Sequence, residues 1–252
     1  MKISSTSIEK IIRSTANRFG IDIKRYHDEL SESAAIVRML RQHKIELVVD
    51  IGANQGQYAK LLRRYGYQER IISFEPLQDA WDKLEMACRN DPKWQIFPRC
   101  AIGESKSSVT MNVSGNSVSS SILEMLDQHT EAAPESAYIR AEQVQTMPLD
   151  EALAMVQDLP QNIFIKIDTQ GYEEKVLDGA PDAISRAVGI QIELSLVPLY
   201  AGQALFREIT ERLTNRGFEI WSLFPGFTDK SSGRMLQCDA VLFKDQINNP
   251  NA

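Results

Sequence analysis

Residues 45–56 read IELVVDIGANQG, and this stretch decides the fold class. The apolar run Ile45–Ile51 is short and leads directly into Gly52, which is typical of a buried strand in a parallel sheet. Apolar residues then recur at helical spacing, up to a stop at Gly66: Tyr58, Leu61, Leu62 and Tyr65. A strand, a glycine-containing turn and a helix in this order predict the first βα unit of an α/β protein.

Further short apolar runs follow, and each predicts a strand: Arg70–Phe74, Trp94–Phe97, Asn162–Ile167, Val188–Leu194, Phe218–Phe224 and Met235–Phe243. Only the turn-rich segment PGFTDKSSG, residues 225–233, separates the last two runs, so they are predicted to form an antiparallel hairpin. We expect a Rossmann-like α/β fold with a seven-stranded, mostly parallel sheet, a C-terminal antiparallel hairpin and N-terminal helices.

The chain is predicted to have one main domain, residues 45–245, with additions at both ends and one insertion. Two amphipathic helices form an N-terminal extension, residues 1–44, which we assign to packing on the domain rather than to a membrane surface or a partner. Residues 246–252 are expected to be a disordered tail. Residues 107–147 form an insertion whose serine-rich stretch SGNSVSSS, residues 114–121, is either a lid over an acceptor or a solvated loop.

Composition excludes several classes of protein. With 252 residues, 43% of them hydrophobic, the chain has enough apolar material for a full core, and its net charge of −6 argues against a nucleic-acid partner. The three cysteines contain no CxxC pair, which favours a reducing compartment, and no apolar stretch reaches the length of a membrane span. We therefore expect a cytoplasmic protein. Its oligomeric state is left open, with a homo-oligomer among the options.

The turn after the first strand is the best candidate for ligand binding. In open α/β sheets, ligands bind beyond the carboxyl ends of the strands, where glycine lets a ligand approach the backbone. A dinucleotide fingerprint would need glycine at positions 54 and 57, where the chain has Asn54 and Gln57, and a Walker lysine is missing as well. The acidic residue before the turn suits a ligand with a cationic amine and no pyrophosphate, such as S-adenosylmethionine. The predicted contacts in this turn are Asp50, Gly52, Ala53, Asn54, Gln55 and Gly56.

Carboxylates end three further strands of the predicted sheet. Glu75, followed by Pro76, lies close to the spacing at which an acidic residue accepts hydrogen bonds from a ribose diol. Asp168 follows the fourth strand and is the first candidate for orienting an acceptor, taking its proton or, as a cofactor contact, attracting the sulfonium of S-adenosylmethionine, with helix capping as the alternative. Glu193 ends the fifth strand as a second catalytic candidate, a metal ligand or an edge residue. His129, in the insertion, is a speculative further base.

A divalent metal is not expected. Asp168, Glu193 and Asp239 end or enter strands, but three acids without a dense local motif are weak support for a magnesium site. We therefore assign no metal ligands.

Six motifs in the expected order resemble those of the FkbM-type methyltransferases: VVDIGANQG (48–56), SFEP (73–76), CAIGE (100–104), MPLDE (147–151), KIDTQGYE (166–173) and VLDGA (176–180). The resemblance extends from about Ile45 to Phe243 and implies the class I methyltransferase fold with S-adenosylmethionine as cofactor. It also implies that Ala101 and Ile102 lie beside the adenine. The family's more frequent form after Asp168 is DxEG, whereas this chain has Gln170 in place of that glutamate.

The resemblance implies methylation of a hydroxyl oxygen, with a small-molecule or glycan acceptor such as a sugar, a glycolipid or a polyketide-type metabolite. A competing hypothesis is a methyltransferase-like module that binds cofactor or nucleotide without turnover, for which Gln170 and the uninterpreted insertion are the support. A nicotinamide oxidoreductase is a third, weaker hypothesis, because the GxGxxG fingerprint is missing.

Overall fold

The computed structural model describes residues 5–21 and 31–244, with side chains from residue 12 onward in those ranges. The described helices are α1 (Ser5–Arg18), α2 (Glu32–Gln42), α3 (Gln57–Arg64), α4 (Gln78–Cys88), α5 (Asp127–Ala132), α6 (Leu149–Ala154), α7 (Glu173–Asp178), α8 (Pro181–Arg186) and α9 (Phe206–Thr214). Two predictions fall partly or wholly outside these ranges: residues 1–4 and 22–30 of the N-terminal extension, and the tail at 246–252.

The described strands are β1 (Leu47–Ile51), β2 (Arg70–Phe74), β3 (Trp94–Ile96), β4 (Ala101–Ile102), β5 (Ser107–Ser114), β6 (Tyr138–Met147), β7 (Ile163–Ile167), β8 (Ala187–Ser195), β9 (Phe218–Pro225) and β10 (Gln237–Lys244). Seven of them form one sheet in the order β3-β2-β1-β7-β8-β10-β9. The first five in this order run parallel, whereas β10 is antiparallel to both β8 and β9. The predicted mostly parallel sheet with a C-terminal antiparallel hairpin is confirmed.

Strand β1 lies inside the sheet, between β2 and β7, and is buried along its whole length. Its side chains alternate between two apolar clusters, with Val49 in the cluster covered by α6 to α9 and Val48 in the cluster covered by α2, α3 and α4. Helices therefore cover both faces of the sheet, which is why its strands read as nearly continuous apolar runs. The register of β1 and β7 places Asp50 beside Lys166, at the carboxyl edge of both strands.

The insertion contains regular structure that the sequence pattern did not reveal. Its two strands β5 and β6 pair in antiparallel fashion, and β4 joins the other edge of β6 in parallel, so that the three form a second sheet. Most residues of β5 are exposed or half-buried, so the strand lacks the clean alternation that would have predicted it.

The serine-rich stretch of the insertion folds inward. Ser114, Ser119, Ser120 and Ser121 are all buried, and the backbone groups of Ser121 and Asn112 exchange two hydrogen bonds. This burial is contrary to the solvated-loop alternative. Whether the stretch opens and closes as a lid stays a prediction.

Among the described residues, no helix combines the length and the apolar character needed to cross a membrane.

Candidate functional site

A cavity of about 410 Å³ opens at the carboxyl edge of the main sheet. Its walls come from the turn after β1, the end of β2, the short strand β4, the end of β7, and the part of the insertion around residues 117–122. Strands β8 and β10 add one polar side chain each, Gln191 and Asp239. The second sheet therefore closes over the edge at which parallel strands present their ligand-binding ends.

The turn after β1 is tied to the end of β2 by a hydrogen-bonded carboxylate. Glu75 is 5% exposed, and its Oε2 accepts a 2.8 Å hydrogen bond from the backbone N–H of Asn54. Its Oε1 accepts a 2.9 Å hydrogen bond from the backbone N–H of Leu77. Burial raises the pKa of Glu75 to about 7, although both backbone donors oppose that shift. Glu75 thus lines the cavity while it also holds two loop segments in place.

A buried lysine connects two aspartates at the centre of the site. The Nζ of Lys166 lies 3.4 Å from Oδ1 of Asp50 and 3.2 Å from Oδ2 of Asp168, and Lys166 is only 6% exposed. Asp50 is fully buried, and this burial raises the pKa of its carboxyl group while the Lys166 charge lowers it. The neighbouring carboxylates Asp168 and Asp50 raise the pKa of Lys166 against the opposing effect of burial, so the ammonium stays charged.

The other oxygen of Asp168 is held by Gln170. The Gln170 Nε2 donates a 2.9 Å hydrogen bond to Oδ1 of Asp168 and a 2.8 Å hydrogen bond to Oε2 of Glu193. The Tyr200 hydroxyl donates to Oε1 of Gln170 at 2.8 Å, which fixes the orientation of the amide. Burial and the Asp168 charge raise the pKa of Glu193 well above its usual range, and Gln237 donates to the same Glu193 oxygen at 2.8 Å. A neutral amide therefore separates the two carboxyl groups.

A further series of hydrogen-bonded side chains reaches the cavity from β8 and β10. The Tyr58 hydroxyl donates a 2.8 Å hydrogen bond to Oε1 of Gln191, whose Nε2 donates a 3.2 Å hydrogen bond to Oδ1 of Asp239. Burial and the Asp168 charge raise the pKa of Asp239 to about 6. The Tyr58 ring also lies beneath the Lys166 ammonium, with 5.5 Å from Nζ to the ring centroid. This geometry is that of a binding site with an apolar wall and a negatively charged end.

The model of the methyltransferase FkbM domain matches residues 50–220, well over half of the chain. The chain belongs to the FkbM methyltransferase family. The matched region contains the turn after β1, Glu75, the second sheet and Asp168, so the family motifs and the cavity coincide. No protein of curated function matches the chain.

Solved structures similar to this FkbM methyltransferase have low sequence identity. An rRNA methylase from Streptococcus thermophilus is 12% identical, with 86% of this chain and 99% of that chain covered and a TM-score of 0.45. A TehB-like SAM-dependent methyltransferase from Corynebacterium glutamicum is 13% identical, with 96% and 100% covered and a TM-score of 0.41. The mitomycin 7-O-methyltransferase MmcR is 9% identical, with 95% and 58% covered and a TM-score of 0.44.

Most of the site residues expected from the sequence line the cavity of this FkbM methyltransferase: Gly52, Ala53, Asn54, Glu75, Pro76, Ala101, Ile102 and Asp168. Four others do not: Asp50, Gln55, Gly56 and Glu193. Asp50 lies behind the wall, beneath Lys166. Among the described residues, Glu193 accepts hydrogen bonds from Gln170, which lines the cavity, and from Gln237, which does not.

The two glycines of the turn have different environments: Gly52 lines the cavity, whereas Gly56 does not. A Cβ on Gly52 would overlap the backbone carbonyl oxygen of Asp168, so β1 and the segment after β7 need a glycine in order to approach each other. A Cβ on Gly56 would come within 2.6 Å of the Trp94 ring, on the side of the apolar core. The missing side chain of Gly56 thus makes room for Trp94, and a contact of Gly56 with a ligand stays a prediction.

His129 is not a solvated loop histidine. It lies on α5 with 2% of its surface exposed and packs against Tyr200 and Phe227, with ring centroids 5.2 and 5.1 Å apart. Burial lowers the pKa of His129 to about 4, and the residue is absent from the cavity wall. It therefore packs beside the site without reaching it. Among the described residues, no group of three or more His, Cys, Asp or Glu side chains is arranged to hold a metal ion.

Sequence reasoning missed the polar partners that set the geometry: Tyr58, Lys166, Gln191, Tyr200, Gln237 and, as a cavity residue, Asp239. A signal existed for some of them. Lys166 is a lone charge inside the buried strand IFIKI, where a charge needs partners. Gln191 and Glu193 are two residues apart at the end of an apolar strand, and this spacing places side chains on one face.

Proposed function

We propose that this protein is an S-adenosylmethionine-dependent methyltransferase that methylates a hydroxyl oxygen on a sugar, a glycolipid or a polyketide-type metabolite. The observation that carries the proposal is the cavity itself. It brings the turn at Gly52–Asn54, the Glu75 carboxylate and the Asp168 carboxylate to one edge of the sheet in a member of a methyltransferase family.

The residues present fit S-adenosylmethionine. Glu75 offers a carboxylate at the end of β2, where a ribose diol can donate hydrogen bonds to it. Ala101 and Ile102 give an apolar surface suited to an adenine ring. Asn54 has a buried side-chain Oδ1 that accepts no hydrogen bond from the described residues, so it has an acceptor left for a ligand donor. The opposite end of the cavity is acidic, which suits a ligand that carries positive charge.

When bound, S-adenosylmethionine supplies a methyl group activated by a sulfonium. The protein's part in such a displacement is to align the acceptor oxygen, to exclude water and to accept a proton. Asp168 is our candidate proton acceptor, because its carboxylate lines the cavity and 34% of the side chain is exposed there. Lys166 and Gln170 each hold one of its oxygens, so the carboxylate is fixed in one orientation. Glu193 acts through Gln170 rather than on the acceptor.

The polar and apolar side chains that line the cavity favour some classes of acceptor over others. Two aspartates, Asp168 and Asp239, line its polar end and disfavour an anionic acceptor. A hydroxyl group can donate a hydrogen bond to either of them. Val118, Ile122 and Met111 supply an apolar wall from the second sheet and the serine-rich stretch. A neutral alcohol with an apolar body fits both features, as does a glycan attached to a lipid. We also propose that residues 114–121 act as a lid over the acceptor.

Calorimetric titration of the purified protein with S-adenosylmethionine and S-adenosylhomocysteine, with NAD as the control, tests the proposal. We expect both adenosyl ligands to bind and NAD not to bind. The same protein is then incubated with S-adenosylmethionine carrying a labelled methyl group and a panel of sugars, glycolipids and natural-product alcohols. Binding without label transfer to any acceptor class would favour the non-catalytic module, and NAD binding alone would favour the oxidoreductase.

A further inference from the structure

The polar end of the cavity contains more carboxylates than cations. Asp168 and Asp239 both line it, and Asp50 lies directly behind the wall. Among the described residues that line the cavity, Lys166 is the single lysine or arginine. If all three aspartates are ionised, one ammonium group faces three negative charges.

The Lys166 charge is already shared by two of these aspartates. Its Nζ lies 3.4 Å from Asp50 and 3.2 Å from Asp168, and the second oxygen of Asp168 accepts a hydrogen bond from the Gln170 amide. Asp239, by contrast, forms no ion pair with any described residue. Its described hydrogen bond comes from the Gln191 amide, a neutral donor, and reaches only one of its oxygens. Of these three aspartates, Asp239 is therefore the one without a cationic partner among the described residues.

The surroundings of Asp239 make this carboxylate costly without a further cation. Lys166 faces it from β7 and Asp168 from the segment that follows β7. Gln191 and Glu193 face it from β8. Tyr58 faces it from α3, and Cys238 is its neighbour on β10. Glu32 on α2 adds a further negative charge in its vicinity. Most of these groups are neutral or negative. Asp239 is half-buried at the cavity wall, and a partly desolvated charge is stabilised by an opposite charge, so the arrangement suits a cation that arrives with a ligand.

We propose that the Asp239 carboxylate recognises the positive charge that distinguishes S-adenosylmethionine from S-adenosylhomocysteine, so that the site prefers the methyl donor to the demethylated product. This inference rests on the proposed function, because it concerns the same cofactor site. The two molecules share the adenosine, amino and carboxylate groups, and they differ by the methylsulfonium. A selective carboxylate would favour release of the neutral product after each transfer, since its attraction to the ligand disappears with the methyl group.

The test is a calorimetric titration at pH 8 with three probes: S-adenosylmethionine, S-adenosylhomocysteine and sinefungin, an analogue in which a charged amine replaces the methylsulfonium. We expect the wild-type protein to bind the two cationic probes about tenfold more tightly than S-adenosylhomocysteine. In Asp239→Asn, affinity for the cationic probes falls by about tenfold, while affinity for S-adenosylhomocysteine changes less than about twofold. Asp82→Asn, which removes an exposed carboxylate on α4, is the matched control and leaves all three affinities unchanged.

A second measurement keeps the inference testable if Asp239→Asn does not fold. In the wild-type protein, the ratio of S-adenosylmethionine affinity to S-adenosylhomocysteine affinity is expected to rise as the pH increases through about 6, where Asp239 ionises. Equal affinities for the charged and neutral probes at every pH, or an equal loss for all three in Asp239→Asn, overturn the inference. Failure of all three probes to bind the wild-type protein overturns the proposed function instead.

Discussion

The backbone N–H of Asn54 and the carboxylate of Glu75 lie 2.8 Å apart, so the turn after β1 is hydrogen-bonded to the end of β2 through a side chain. The other oxygen of the same carboxylate is hydrogen-bonded to Leu77 N–H. Both oxygens of Glu75 are thus required as acceptors by the protein itself. The residue expected to hold a ribose also shapes the turn that would hold the rest of the cofactor.

Glu75→Gln is expected to destabilise the protein. Glutamine has one acceptor oxygen, so its amide nitrogen would face the backbone N–H of either Asn54 or Leu77, and one buried donor would lose its partner. We expect the free energy of unfolding to fall by about 1–3 kcal/mol, measured by urea denaturation at pH 7. Cofactor affinity should fall with it. Unchanged stability would contradict the assignment of both oxygens as acceptors.

Glu173→Gln is the matched comparison for Glu75→Gln, because the described hydrogen bonds to Glu173 all reach a single oxygen, Oε1. Its donors are the backbone N–H groups of Thr169 and Gly171 and the Thr169 hydroxyl. Burial raises the pKa of Glu173 to about 7, so the folded state binds its proton more tightly than the unfolded state. Its contribution to stability is full below about pH 4.5 and is lost as the pH rises through about 7. Denaturation at pH 5 and pH 8 should show a smaller decline in stability for Glu173→Gln than for wild type. An equal decline in both proteins would refute this prediction.

Gly52→Ala should cost much more stability than Gly233→Ala. Both glycines have positive φ, 77° and 74°, so both substitutions carry a similar backbone strain. At Gly233 an added Cβ meets nothing within 4 Å, whereas at Gly52 it would overlap the Asp168 carbonyl oxygen. We expect Gly233→Ala to cost about 1 kcal/mol and Gly52→Ala to cost several times as much or to prevent folding. Thermal denaturation of both variants without ligand tests this prediction. Similar melting temperatures for the two variants would indicate that Gly52 is needed for ligand binding rather than for the fold.

Lys166→Met is expected to destabilise the fold because it leaves Asp50 fully buried without a cation. Removal of one partner from a buried ion pair typically costs about 3–5 kcal/mol. The double variant Asp50→Asn, Lys166→Met removes the stranded charge and should recover a large part of that loss. Urea denaturation of the wild type, the single variants Asp50→Asn and Lys166→Met, and the double variant forms the cycle. A double variant as unstable as Lys166→Met would show that the Asp50 charge is not the cause.

Gln170→Glu should make stability strongly dependent on pH. The new carboxylate would lie between Asp168 and Glu193, where an amide now donates to both. The three carboxyl groups would repel one another when ionised, so the variant should approach wild-type stability near pH 5 and lose stability toward pH 8. Gln170→Met loses the same hydrogen bonds without adding charge and should show no such trend. If the stability of Gln170→Glu depended on pH in the same way as that of Gln170→Met, repulsion among the carboxylates would be contradicted.

The sequence predicted the main sheet because each parallel strand is buried on both faces, and such strands leave apolar runs of recognisable length. It also predicted that Glu75 lies at the same edge of the sheet as the Gly52 turn, because one βα unit sets the distance from that turn to the next strand end. Both predictions depend on local spacing, and local spacing is visible in a single chain.

The remaining parts of the site arise from contacts between residues far apart in the chain. Lys166 neutralises Asp50 only because β1 and β7 pair in register, and Gln191 meets Asp239 only because β10 inserts between β8 and β9. The second sheet escaped prediction because its strand β5 is largely exposed on both faces and carries no clean alternation. The contact between Gly56 and Trp94 was not predicted, because a glycine at positive φ looks the same in a sequence whether it makes room for a ligand or for a tryptophan ring.

The most direct test of the central claim is a crystal structure of the protein with S-adenosylhomocysteine bound. We predict that the ligand occupies the cavity at the carboxyl edge of β1, with its ribose hydroxyls within hydrogen-bonding distance of the Glu75 carboxylate and its adenine against Ala101 and Ile102. The thioether sulfur should point toward the end of the cavity that holds Asp168 and Asp239. A ligand bound elsewhere, or one whose ribose lies far from Glu75, would contradict the account.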